Sequence, residues 1–164
     1  MMKKIIIVVV TTALIFSFGL NISYAQSVPS EPASSESSAM DVVVYRSPTC
    51  GCCSKWVAHL KTQGFNVQDN VIEDIQKIKD QYSISGPLAS CHTAVVNGYI
   101  VEGHVPATDI KTMLLEKPEI SGLTVPGMVV GTPGMEMGDK KAPFKVIAFD
   151  KDGKTQIYKA YDKY

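Results

Sequence analysis

From Asp41 onward the chain alternates short apolar runs with stretches in which apolar residues recur three or four positions apart. Asp41-Val42-Val43-Val44-Tyr45 is a β-branched run suited to a strand covered on both faces, and Ser47-Pro48-Thr49 breaks it. Behind the break, Cys53, Trp56, Val57 and Leu60 fall on one side of a helical wheel, Lys55 and Lys61 fall away from it, and Gly64 supplies a stop. Phe65-Asn66-Val67 and Val71-Ile72 bracket a second strand, and Ile75, Ile78 and Tyr82 among charged neighbours predict a second amphipathic helix. Asn97-Gly98 lies between Thr93-Ala94-Val95-Val96 and Tyr99-Ile100-Val101-Glu102, a hairpin signal because Asn-Gly tolerates the positive φ angles of a tight turn. Pro106 then opens a helix whose buried stripe is Ile110, Met113 and Leu114. Gly122 to Gly138, rich in Gly, Pro and Met, is expected as a long loop, and Lys145–Phe149 with Lys154–Tyr158 as a hairpin around Asp152-Gly153.

The order β-α-β-α-β-β-α, with cysteines at the first strand-to-helix turn, resembles the thioredoxin fold. The expected class is therefore α/β, a thioredoxin-like unit carrying a C-terminal β-hairpin appendage. A thiol at that turn sits at a helix N-terminus, where the dipole and free backbone N–H groups favour thiolate.

The first 40 residues are of another kind. Lys3 and Lys4 precede an apolar run from Ile5 to Leu20 and the small-residue site Ser23-Tyr24-Ala25, the pattern of a secretory signal cleaved near Ala25. Residues 26–40 turn to Ser, Pro, Ala and Glu and read as a flexible linker, which leaves 41–164 as one domain of ordinary size. A mature protein exported to an oxidising compartment, without stable membrane insertion, is expected. Cleavage removes Lys3 and Lys4 from 16 basic side chains matched by 16 acidic ones, so the mature charge is slightly negative and a nucleic-acid partner is not expected. No paired carboxylates, phosphate-binding loop or Ser-His-Asp set stands out.

Chemistry concentrates instead in Cys50-Gly51-Cys52-Cys53. Cys50 and Cys53 have the Cys-x-x-Cys spacing that brings two sulfurs together across a helical turn, as a disulfide or around a soft metal. Cys52 tilts this towards metal, since a third thiol invites misoxidation in an exchange enzyme but adds a ligand to a soft-metal site. In the thioredoxin-like arrangement Cys91, just before the hairpin, comes to the same helix N-terminus and brings His92 with it. His104, after the second hairpin strand, is a candidate ligand or a group supporting one; His59 and His92 are weaker candidates, because strand alternation can aim His92 away from Cys91. Pro126-Gly127-Met128 and Pro133-Gly134-Met135-Glu136-Met137 repeat a turn bearing thioethers, which suit Cu(I) but also pack loops; packing is favoured for Met128, while Met135 and Met137 stay open. A scaffold stapled by two disulfides is the bland alternative.

Ser47-Pro48-Thr49-Cys50-Gly51-Cys52-Cys53, Trp56-Val57-Ala58-His59-Leu60, Cys91-His92-Thr93-Ala94-Val95, Glu102-Gly103-His104-Val105-Pro106-Ala107 and Val125-Pro126-Gly127-Met128 together closely resemble one family. It is the family of exported metal-binding domains of unknown function that includes the copper-resistance protein CopG. The resemblance spans nearly all of 41–164. It implies a thioredoxin-like domain in the bacterial periplasm that binds copper, as Cu(I) and as a multinuclear cluster, through Cys50, Cys52, Cys53 and Cys91, with His104 the further candidate. Copper ions and other periplasmic copper-handling proteins are the partners it suggests, and copper tolerance the role. The residues themselves select only a soft metal. A copper or thiol oxidoreductase, including a metal-free thiol-disulfide oxidoreductase, is the competing reading.

Overall fold

The computed structural model describes residues 40–163. The expected signal segment, and the linker except for Met40, lie outside the described residues. Seven strands form one sheet in the order β2-β1-β3-β4-β5-β6-β7, accompanied by three helices.

β1 (Asp41–Arg46) crosses through α1 (Gly51–Thr62) to β2 (Asn66–Val71), which lies parallel to it. After α2 (Ile75–Gln81) and a 3-10 turn at Gly86–Leu88, the chain returns antiparallel to β1 as β3 (His92–Val96). The turn to β4 (Tyr99–Gly103) uses Asn97 at φ 45° and Gly98 at φ 82°, as the Asn-Gly signal requires. α3 (Ala107–Glu116) then leads to β5 (Gly122–Val125), parallel to β4, and β6 (Phe144–Phe149) and β7 (Thr155–Tyr161) complete the sheet by antiparallel pairing.

Strand alternation divides the side chains between two faces. Val42, Val44, Ala94, Val96, Val101, Leu123, Val125, Val146 and Ala148 meet Trp56 and Leu60 of α1 and Ile110 and Met113 of α3 in the main core. Each large apolar side chain removed from water there contributes about 1.5–3 kcal/mol. The other face carries a smaller cluster of Ile84, Leu88 and Phe149, with Ile100 and Tyr82 against it.

Three expectations are corrected. Gly122–Val125 is a strand and not the start of a loop: its Leu-Thr-Val run is fully buried and outweighs the Gly- and Pro-rich composition that follows. That strand makes the C-terminal hairpin a continuation of the sheet and not an appendage, because Leu123 pairs with Val101 on one side and Ala148 on the other. On α2, Ile75, Ile78 and Tyr82 are only half-buried, and the fully buried side chain is Lys79. Its ammonium forms an ion pair with the buried Glu102 of β4 and donates to Thr93 Oγ1 of β3 at 3.2 Å.

Candidate metal centre

The pairing pattern dictates where the cysteines meet. β3 runs antiparallel to β1, so it begins where β1 ends, with His92 opposite Arg46. β4 ends beside the start of β3, with Glu102 opposite Thr93, and β5 ends beside β4, with Val125 opposite Gly103. The turn after β1, the segment before β3 and the segments after β4 and β5 therefore share one end of the sheet. These four segments carry Cys50–Cys53, Cys91, His104 and the Met-bearing loop.

All four cysteine sulfurs lie within 4.8 Å of one another. Cys50 occupies the N-cap position of α1 without a side-chain capping hydrogen bond, and Cys52 and Cys53 lie in its first turn, where backbone N–H groups have no helical acceptor. Cys50 and Cys53 form a disulfide, while Cys52 and Cys91 are free thiols. Cys52 Sγ stands 3.4 Å from Cys50 Sγ, and Cys53 Sγ lies 3.7 Å from the Cys91 carbonyl oxygen. The site holds one disulfide and two thiols, so the two-disulfide scaffold is not what forms. Burial first, and the neighbouring Cys52 second, push the Cys91 thiol up to about 12 against a weaker opposing effect of Ser90. A cation entering the site must displace that proton.

A second donor group shares Cys91: its sulfur, His92 and His104 also lie within 4.8 Å of one another. His104 Nδ1 is 2.8 Å from the Pro133 carbonyl, which can only accept, so Nδ1 carries the proton. Nε2 is then an open lone pair, 3.0 Å from Cys91 Sγ. His92 Nδ1 reaches the same sulfur at 3.3 Å. Its Nε2 is buried and meets no hydrogen-bond partner, although the Gly103 carbonyl lies near enough to favour the charged ring slightly. Burial holds both imidazoles below the ordinary histidine value, His92 furthest because His104 and Lys79 oppose its charge as well. Neutral rings are the ligand-competent form, and a thiol plus two imidazoles suit a soft cation.

The surroundings fix these donors in place. Glu102 accepts from the Ser90 backbone N–H at 2.6 Å and from Thr93 Oγ1 at 2.6 Å, so the buried Lys79–Glu102 pair anchors the segment bearing Cys91. The Ser90 hydroxyl donates to the Gly127 carbonyl, and Gly103, at φ 72°, leaves no room for a Cβ against Ser90. Trp56 Nε1 donates to the Val105 carbonyl at 2.9 Å and its ring packs 4.3 Å from His92. The loop after β5 closes the site, because Gly134 packs its backbone onto α1, where a Cβ would stand 2.7 Å from Trp56 N and 2.9 Å from the Cys52 carbonyl oxygen.

Cys50, Cys52, Cys53 and Cys91 are thus brought together, and His104 meets them at Cys91. His92 joins them: Cys91 precedes β3 and is not part of its alternation, so the argument that turned His92 away does not apply. The adjacency of Cys91 and His92 was the available signal. His59 stands apart, its Nε2 accepting from the Ala107 backbone N–H at 3.3 Å at the start of α3. Met128 is 59% exposed, which removes the packing role expected for it; Met137 is equally exposed and Met135 half-buried. Lys79 and Glu102 were missed, since nothing in their spacing marks a buried ion pair.

Comparison with known proteins places this geometry. Residues 88–135, from the 3-10 turn through Cys91 and His104 to Met135, match the family described as "Protein of unknown function, DUF411". No curated protein matches the chain. Two solved structures do, both of a copper resistance protein, CopG. Form 1 is 39% identical with a TM-score of 0.73 and covers 77% of this chain and 100% of its own. Form 2 is 39% identical with a TM-score of 0.72, covering 76% and 99%. At that identity and coverage, the chain belongs to the DUF411 family, which includes the copper resistance protein CopG.

Proposed function

We propose that this protein binds copper as Cu(I) through Cys50, Cys52, Cys53 and Cys91, with His104 beside them, and that it sequesters or transfers the ion in the periplasm as part of copper tolerance. The observation that carries the reading is the meeting of four sulfurs within 4.8 Å, drawn from two separate parts of the chain. Thiolate clusters select soft ions, and the relationship to a copper resistance protein narrows the soft ion to copper. The unit β1-α1-β2-α2-β3-β4-α3 is read as thioredoxin-like on its element order and the sheet order β2-β1-β3-β4, with residues 41–164 forming one domain. Residues 1–25 are read as a cleaved signal and 26–40 as a tether; no helix among the described residues is long and apolar enough to cross a membrane.

Once Cys50 and Cys53 are reduced, the four sulfurs supply enough thiolate to bridge more than one Cu(I). The test is Cu(I) competition and elemental analysis on anaerobically reduced protein. More than one ion per chain is expected, and none above a variant with all four cysteines replaced by Ser would defeat the reading.

A metal-free thiol-disulfide oxidoreductase is the second reading, favoured by the Cys50–Cys53 disulfide at the N-terminus of α1. Cys52→Ala separates the two: copper capacity drops under the first, whereas under the second disulfide exchange is preserved or improved and copper binding is unaffected.

A further inference from the structure

The disulfide consumes only half of the sulfur in the site. Cys52 and Cys91 remain thiols, and their sulfurs belong to the same group lying within 4.8 Å. Two thiolates satisfy a soft monovalent cation, which accepts low coordination numbers. A third donor already faces Cys91, because the proton on His104 Nδ1 is held by the Pro133 carbonyl and the Nε2 lone pair lies 3.0 Å from Cys91 Sγ. The anchors of Cys91, namely Glu102 on the Ser90 N–H and the Ser90 hydroxyl on Gly127, do not involve Cys50 or Cys53. These anchors hold the segment bearing Cys91 with the bridge closed.

We propose that the bridged protein retains a one-ion Cu(I) site formed by Cys52, Cys91 and His104, separate in its redox requirement from the four-sulfur site of the reduced chain. Loading it exchanges the protons of two thiols for one Cu(I), releasing two protons with no change in oxidation state. The Cys50–Cys53 pair then sets capacity: one ion when it is oxidised, more when two electrons from an external dithiol or phosphine open it. The chain could therefore hold copper in an oxidising compartment without first being reduced. This inference rests on the copper reading above and goes beyond it.

The experiment uses the mature protein purified with its disulfide intact, with two free thiols counted by a thiol-reactive dye and the bridge checked by mass spectrometry before and after loading. Cu(I) is titrated anaerobically against a chromophoric chelator, without added thiol, and again after reduction by a phosphine. One equivalent is expected in the bridged form and more than one after reduction. Cys52→Ser and Cys91→Ser should each weaken the bridged-form equivalent at least about tenfold. No copper held by the bridged protein, with copper still held by the reduced protein, would overturn this inference and leave the copper reading standing. No copper in either form would overturn both. An equivalent that survives in both single variants would also overturn the inference, since its ligands would lie elsewhere. The wild type in two redox states carries the main comparison, so it does not depend on any variant folding.

Discussion

Burial pushes the Cys91 thiol up, so a copper ion bound there would displace its proton. Apparent Cu(I) affinity should accordingly rise with pH, by about tenfold per unit for each proton displaced. Competition titrations at pH 6, 7 and 8 check this; a flat profile would mean that Cys91 is not a ligand. Gly134 sits at φ 83°, with its backbone against Trp56 and the Cys52 carbonyl oxygen. Gly134→Ala must both strain the backbone and push the loop off α1, at a cost of about 1–3 kcal/mol, readable by urea denaturation. At this scale the sequence spoke clearly for the cysteines, because thiol chemistry is a property of residue type and spacing. It ranked His92 below His104 and gave Gly134 no role, because the importance of both comes from what lies across the fold from them.

The second helix is short and exposes most of its surface, and its one fully buried side chain is Lys79, held by Glu102 and Thr93 of the sheet. Lys79→Met leaves the Glu102 carboxylate buried without its cation and should destabilise the protein by about 3–5 kcal/mol. Adding Glu102→Gln should recover part of this, since a neutral amide costs less to bury, and denaturant unfolding of the two variants measures the difference. The outer hairpin is fixed in a similar way: Asp109 on α3 accepts from Tyr161 Oη at 2.7 Å and from Lys159 Nζ at 3.0 Å. Asp109→Ala should cost about 1–3 kcal/mol without altering copper stoichiometry, because this latch lies outside the donor set. Elements whose stability comes from apolar periodicity, such as α1 and α3, were readable from sequence. α2 was readable as a helix but not its buried face, because its decisive contact is a charged side chain turned inward, and β5 was not readable because four residues among glycines and prolines are too few to show a period.

Across the whole molecule, three imidazoles, His59, His92 and His104, are kept neutral chiefly by burial. Each is more easily protonated in the unfolded chain, whose ordinary value is 6.5, so the unfolded state binds more protons as pH falls. Their contribution to stability is complete above that value and is lost as pH drops through the lowered folded values. Melting temperature should therefore decline from pH 7.5 to pH 5, and replacing His92 by Gln should flatten the curve. The sheet order that brings these rings and the thiols to one end is a global property. No local pattern announced that β5 would join the outer hairpin to the inner strands.

That convergence also sets the order of events in the life of a molecule. Cys91 meets Cys50 on one side and His104 on the other only when β1, β3 and β4 have paired, so the unfolded chain carries no assembled donor set. An ion held there would tie together segments remote in the chain, and its binding energy would add to that of the folded state.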